Sequence, residues 1–286
     1  MSGQIIFIVW RESVEALLVV GILNAWLHQN APGSGAARYL WGGVVAGMGL
    51  ALGIAYALFT LSEILPPDSL DYFMVAMMFV AMVLIVQMVL WMRSHGRQIK
   101  HHLEQGLGLA VEQKRWWGIF VLALIAVARE GSETVVFVYG LLSSSRVGDM
   151  FELTSAVAVG IMIAVATYGV LQLGGRYLSW RLFFKVTEIM LLSLACALAV
   201  TSADKLISLG ILPYTQTIWD TGWLLDDGTR FGGVVSAMTG YRSAPDQIIL
   251  AVWALYWGMI FGVLKLQRSG WALRRKDRLT NAGKLG

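Results

Sequence analysis

Arg11-Glu12-Ser13-Val14-Glu15 interrupts an apolar run, with Ile5-Ile6-Phe7-Ile8-Val9-Trp10 before it and Ala16-Leu17-Leu18-Val19-Val20 after it. The pattern Arg-Glu-x-x-Glu returns at Arg129-Glu130-Gly131-Ser132-Glu133, again inside an apolar run. Each charge at the centre of a membrane helix costs about 2.5–3.5 kcal/mol on insertion scales. Two such clusters with one spacing therefore ask for a function.

The flanking composition sets the environment. The 286 residues are 57% hydrophobic and 14% charged, against about 25% charged in soluble domains. Several apolar stretches run to about 20 residues, enough to cross a hydrocarbon core of about 30 Å. The net charge of +4 is modest and lies in particular loops. It reports orientation and gives no sign of nucleic-acid binding. The single cysteine, Cys196, lies in an apolar run and reads as a packing residue. No cleavable leader is expected, because charges break the apolar core and no small-x-small site follows closely.

Seven spans are expected: Gln4–Leu27, Arg38–Leu61, Leu70–Met92, Trp116–Leu141, Leu153–Gly174, Leu182–Ala203 and Gln247–Leu266. Basic residues cluster in alternate connections: Arg93, Arg97, Lys100, Lys114 and Arg115; then Arg176, Arg181 and Lys185; then Arg268, Arg274, Arg275, Lys276, Arg278 and Lys284. The connections between them hold Glu63, Asp68 and Asp71; Asp149 and Glu152; and Asp204, Asp220, Asp226 and Asp227. Basic connections stay in the cytoplasm, so the amino terminus is outside and the carboxyl terminus inside. Gly43/Gly47 and Gly49/Gly53 are small-residue pairs that let a helix approach its neighbour closely. A short surface helix is expected within 98–114, where Ile99, Leu103, Leu107 and Val111 recur at helical spacing. The 204–246 segment mixes aromatics with acids, and its fold stays open.

On a helix, positions i, i+3 and i+4 share a side. Arg11, Glu12 and Glu15 therefore point one way, as do Arg129, Glu130 and Glu133, and that way should be the protein interior. At 1.5 Å per residue the first motif lies roughly 10–17 Å below the outer surface, and the second roughly 20–26 Å above the inner one. The two motif helices run in opposite directions at one depth. The expected architecture is all-α and integral to the membrane: a single domain, 1–286, built as an inverted three-plus-three repeat plus one helix. Repeat one is 4–92 and repeat two 116–203. The outer segment 204–246, the seventh helix 247–266 and the tail 267–286 complete the chain. Transporters use such repeats, with the site where the halves meet. The two motifs sum to −2 when ionised. Glu12, Glu15, Glu130 and Glu133 supply carboxylate oxygens suited to a hard metal ion, with Arg11 and Arg129 limiting their repulsion. Static ion pairs between helices are the plainer reading of the same residues.

These residues resemble the oxidase-dependent high-affinity iron permeases, a family that includes bacterial iron uptake permeases. The resemblance covers nearly the whole chain and extends to Glu15–Leu23, Trp91-Met92-Arg93, Ala126–Gly131, Phe183-Phe184-Lys185 and Gly240-Tyr241-Arg242-Ser243-Ala244-Pro245. It implies that the four motif glutamates are the iron ligands. It implies iron as transported substrate, with no permanently bound cofactor and no enzymatic activity. It also implies an extracytoplasmic partner, a copper-containing oxidase or an iron-delivery protein, and hence Fe³⁺ as the ion moved across the plasma membrane. Ser13-Val14 stands where the family's first motif often has Gly and an apolar residue, at positions that bear no ligand oxygen.

Other clusters weigh less. Met74, Met78 and Met82, with Met77, Met88 and Met92, offer thioethers that suit Cu⁺, though methionine usually packs. Mn²⁺ and Pb²⁺ are further alternative cargoes. His28, His95, His101 and His102 all fall in expected cytoplasmic segments, which argues against a haem-based redox enzyme. His101, His102 and Glu104 are candidates to receive iron at the inner mouth. Glu63, Asp68 and Asp71, and Asp220, Asp226 and Asp227, are candidate entry acids. Lys185 and Glu188 read as an i,i+3 ion pair or as a gate.

Overall fold

A computed structural model describes residues 2–32, 35–95, 116–143, 150–173 and 180–282. They form eight helices: α1 (Ser2–Asn30), α2 (Ala36–Ile64), α3 (Pro67–His95), α4 (Trp116–Ser143), α5 (Met150–Leu173), α6 (Trp180–Ser208), α7 (Arg230–Thr239) and α8 (Gln247–Ala282). Helices are what lipid demands, because each satisfies its own backbone hydrogen bonds. The expected surface helix within 98–114 lies outside the described residues, with His101, His102 and Glu104.

By length and composition α2, α3, α5, α6 and α8 can each cross a membrane. α1 and α4 are as long, but each carries three charges near its middle. The boundaries follow local rules. α2 stops before Leu65, which is extended because Pro66 follows it. α3 then opens on Pro67, whose fixed φ suits a first helical turn.

Helix directions are readable from contacts. α2 and α4 run parallel: Gly43 lies against Phe120 and Ala123, Gly47 against Leu124 and Val127, and Gly131 against Ala51. α1 and α5 also run parallel. Gly160 lies against Ile6 and Val9, Trp10 donates to Thr167 at 3.0 Å, and Gly21 meets Tyr168. α3 and α6 are antiparallel, with Asp71 paired to Lys205 at 3.0 Å and Arg93 to Glu188 at the other end. α3 and α4 are antiparallel, Gly140 packing on Met77 and Ala81 and Arg129 on Trp91. α8 descends antiparallel to α6: the Tyr256 hydroxyl donates to the Leu192 carbonyl at 2.7 Å, and Ile249 packs with Val200 and Ala203.

Two close approaches share one register. A Cβ on Gly47 would sit 2.9 Å from Val127 Cβ and 3.0 Å from the Leu124 carbonyl oxygen. A Cβ on Gly160 would sit 2.9 Å from Val9 Cβ and 3.1 Å from the Ile6 carbonyl oxygen. Val127 and Leu124 precede Arg129 by two and five residues, and Val9 and Ile6 precede Arg11 by the same steps. Gly49 and Gly53, expected to pack like Gly43 and Gly47, face open space instead.

Two apolar cores flank the middle of α1 and α4. One gathers Ile5, Ile8 and Val9 with Phe137, Leu141 and residues of α3, α6 and α8, Cys196 among them. The other gathers Val20, Leu23 and Leu27 with Leu40, Ile119, Ala123 and Val127. The charged motifs lie between them. The 204–246 segment folds back as a cap. Ile218 and Thr221 donate to the carbonyls of Pro245 and Ser243, at 3.1 and 2.8 Å. Thr229 caps α7 by accepting from the Gly232 amide. Gly240, at φ 72, ends α7 in a left-handed turn against the backbone of Cys196 and Ala197, a conformation glycine adopts without strain. The sequence left the fold of this segment open; tertiary contacts decide it.

Candidate metal site

α1 and α4 bring the two motifs together. One carboxylate oxygen from each of Glu12, Glu130 and Glu133 lies within 4.8 Å of the other two. Arg11 anchors the first motif. Its Nη1 donates to Glu12 at 2.6 Å, and Nη2 lies 2.5 Å from Glu15. The Glu15 contact is close but out of line, so that oxygen receives no hydrogen bond. Glu15 lies outside that group of three but feels the charges of Glu133 and Arg129. In the second motif Arg129 donates to Glu133 at 3.0 Å and lies over the Trp91 ring at 4.5 Å.

Each of the four glutamates keeps one buried carboxylate oxygen with no hydrogen-bond donor: Glu12 Oε2, Glu15 Oε1, Glu130 Oε2 and Glu133 Oε2. Buried polar atoms are rarely orphaned, since an unmet acceptor costs about 1–3 kcal/mol. With all four carboxylates ionised, two guanidiniums leave a −2 balance, and static ion pairing leaves Glu12 Oε2, Glu130 Oε2 and Glu133 Oε2 without a partner. A cation held by carboxylates from both helices would meet those oxygens. The donor set is all oxygen, which selects hard ions over soft ones.

The positions between the ligands are structural. Gly131 packs against Ala51 of α2, where a Cβ would come within 2.6 Å. Val14 is buried, and Ser132 donates to the Arg129 carbonyl at 2.8 Å.

The remaining candidates separate. Met77, Met78, Met82 and Met88 are core residues. Met88 and Met92 turn their sulfurs to Arg11, at 3.1 and 3.2 Å. Glu188 pairs across the helices with Arg93 rather than with Lys185, as its spacing had suggested. Asp71 pairs with Lys205. Glu63 and Asp68 are exposed at the end of α2 and the start of α3. Asp220 and Asp226 cap their own turns through the amides of Gly222 and Gly228, whereas Asp227 accepts from Ser243 at 2.6 Å. His28 is exposed and bonds within its own helix.

Sequence reading did not single out the neighbours of the arginines. Met88 and Met92 stood among the candidate thioethers, and Trp91 and Met92 in the familial stretch Trp91-Met92-Arg93, with no link to either arginine. The three side chains of that stretch reach Arg129, Arg11 and Glu188 respectively.

Long apolar helices around a cluster of Glu12, Glu130 and Glu133 define the class: a helical membrane protein whose carboxylates can take a hard cation. The chain matches the Iron permease FTR1 family over residues 3–269 and belongs to it. It is 28% identical over 257 residues to the ferrous iron permease EfeU of Escherichia coli O6:H1, covering 87% of this chain and 90% of that one. The EfeU of Yersinia pestis is likewise 28% identical, with 87% and 88% covered. No solved structure matches the chain. The chain is thus a multi-pass permease of the bacterial inner membrane, from a family of transporters rather than enzymes, and its cargo is iron.

Proposed function

We propose that Glu12, Glu15, Glu130 and Glu133 form the iron-translocating site and that Arg11 and Arg129 hold it together. Three orphaned carboxylate oxygens, Glu12 Oε2, Glu130 Oε2 and Glu133 Oε2, carry this reading, with Glu15 Oε1 met only by its ion pair with Arg11. The fold is read as seven spans, α1 to α6 and α8, with the amino terminus outside, the carboxyl terminus inside, and repeats 4–92 and 116–203 related by inversion. Two features support it: every packed pair has the relative direction that alternating spans require, and Gly47 and Gly160 meet the opposite repeat in one register. Inversion also exchanges the end-to-end pairs Asp71–Lys205 and Glu188–Arg93, each an acid early in one helix and a base late in the other.

The ion moved is Fe³⁺, formed from Fe²⁺ outside by a copper-containing oxidase or handed over by an iron-delivery protein. A cage of carboxylates favours the harder ion. Inward movement of three charges through 100 mV gains about 7 kcal/mol. A second reading, direct carriage of Fe²⁺, is favoured by the relatives' name, ferrous iron permease, and by the −2 balance of the site, which a divalent ion neutralises. Mn²⁺ and Pb²⁺ are competitors for the same donors. Uptake of radioactive iron by cells carrying Glu133→Gln or Glu12→Gln, at matched surface expression, tests the site. Background uptake is expected, and normal uptake removes the residue from the site. The same assay with and without a membrane-impermeant reductant separates the ions, because a ferric site loses uptake when iron is kept reduced.

A further inference from the structure

Outward of the glutamates lies a second polar space. α7 and its flanking loops roof a cavity of about 180 Å³ whose lining includes Gln4 of α1, Thr201 of α6, Asp227, Ser236, Ala237 and Arg242. Gln4 precedes Glu12 by eight residues, and Leu141, also in the lining, follows Glu133 by eight. Eight residues of helix span about 12 Å. The cavity therefore sits in line with the glutamate cluster, about 12 Å further out. The apolar side chains of Ile5, Ile8 and Phe137 lie between the two.

The charges of the cavity are arranged for a cation. The charge of Arg242 is offset by Asp204, to which Nε and Nη2 donate, while Nη1 donates to Ser236 at 3.2 Å. Asp227 spends only Oδ1, on the Ser243 hydroxyl. Gln4 is 6% exposed. Its Nε2 donates to the Ala237 carbonyl of α7, and its Oε1 has no hydrogen-bond partner. A buried amide oxygen left unmet in a cavity that Asp227 also lines is unusual in a settled polar cluster. At a liquid share of about 30 Å³ per water, the space accepts an ion with several of its waters.

We propose that this cavity is an outer holding site for a hydrated multivalent cation, with Asp227 as its charged ligand and Gln4 as the neutral acceptor that faces it from α1. The proposal rests on the glutamate cluster being the transport site, since it places the cavity before that cluster on one path. The ion waits here hydrated. It loses its remaining waters only on passing the Ile5–Phe137 layer, where the four glutamates replace them. The Gln4–Ala237 bond ties the roof to α1, so the helix that carries Glu12 and Glu15 also bears on the mouth of the site.

Mn²⁺ is the probe. Titrating the purified full chain in lipid nanodiscs, followed by the paramagnetic resonance of free Mn²⁺, is expected to show one more bound ion in the unmodified chain than in Asp227→Asn. That substitution keeps the acceptor for Ser243. Cells carrying it should need about tenfold more iron for half-maximal uptake, the low end of what charge focusing supplies, at unchanged maximal rate. Asp226→Asn, one residue away and capping its own turn, should change neither. If Asp227→Asn fails to fold, Gln4→Met reads the same loss of Mn²⁺. Unchanged Mn²⁺ stoichiometry with unchanged half-saturation overturns the site, and so do equal effects of Asp226→Asn and Asp227→Asn. Normal uptake by Glu133→Gln alongside loss of Mn²⁺ by Asp227→Asn would instead retire the glutamate reading and leave the outer site standing.

Discussion

The two Arg-Glu-x-x-Glu motifs share a pattern and differ in surroundings. Arg11 is 1% exposed and held by Glu12, Glu15 and the sulfurs of Met88 and Met92. Arg129 is 41% exposed and held by Glu133 and the face of Trp91. The first motif is a fixed wall, and the second leaves its guanidinium at the protein surface. Equal sequence thus yields unequal halves, because α3 sends methionines to one arginine and a tryptophan to the other. A site that must bind and then release an ion gains from such asymmetry: one side holds position while the other is free to rearrange.

The sharpest way to break this contrast is to remove each arginine in turn. Arg11→Leu should cost about 3–5 kcal/mol, because it strands buried carboxylates. Arg129→Leu should cost less, because Arg129 is 41% exposed and its removal strands only one paired carboxylate, that of Glu133. Thermal unfolding in matched detergent reads both, and equal losses would show the two halves to be equivalent.

Next come the glycines that set the motif helices in place. Gly47→Leu and Gly160→Leu should each destabilise by about 1–3 kcal/mol through overpacking, and by similar amounts, since they meet α4 and α1 in one register. Gly49→Leu and Gly53→Leu should do no such harm. A large difference between Gly47 and Gly160 in the same melts would show the repeats to be only superficially alike.

A smaller effect should follow Trp91→Leu, which removes the ring beneath Arg129 at a cost of about 0.5–1 kcal/mol. The change should appear in stability and leave Glu12 bound to Arg11; an effect as large as that of Arg11→Leu would make Trp91 a support of both halves. The smallest effect is expected at the rim, where Asp71→Asn breaks an exposed pair with Lys205 worth about 0–1 kcal/mol. A shift in melting temperature beyond a few degrees would show that α3 and α6 depend on their end clasps.

Much of this was legible in the chain. Apolar runs, alternating loop charges and the repeated motif led to a helical membrane protein and to Glu12, Glu15, Glu130 and Glu133, because hydropathy and i,i+3/i+4 spacing are local properties. Spacing also misled. Gly49 and Gly53 have the same separation as Gly43 and Gly47 but no neighbour, and Glu188 passes over Lys185 for Arg93. Three of the loop acids of 204–246 looked alike in sequence, yet only Asp227 enters the cavity, while Asp220 and Asp226 are spent on their own turns.

Sequence alone determined which residues are costly in lipid and therefore must find each other. That follows from the price of desolvating charge, which depends on residue type and on position along a helix. Only the tertiary structure decided how they meet. It put three carboxylates from α1 and α4 within 4.8 Å, buried Arg11 while leaving Arg129 at the surface, and folded α7 back over Gln4. Those outcomes depend on which helices pack side by side and in what direction, and contacts between residues more than a hundred positions apart set both.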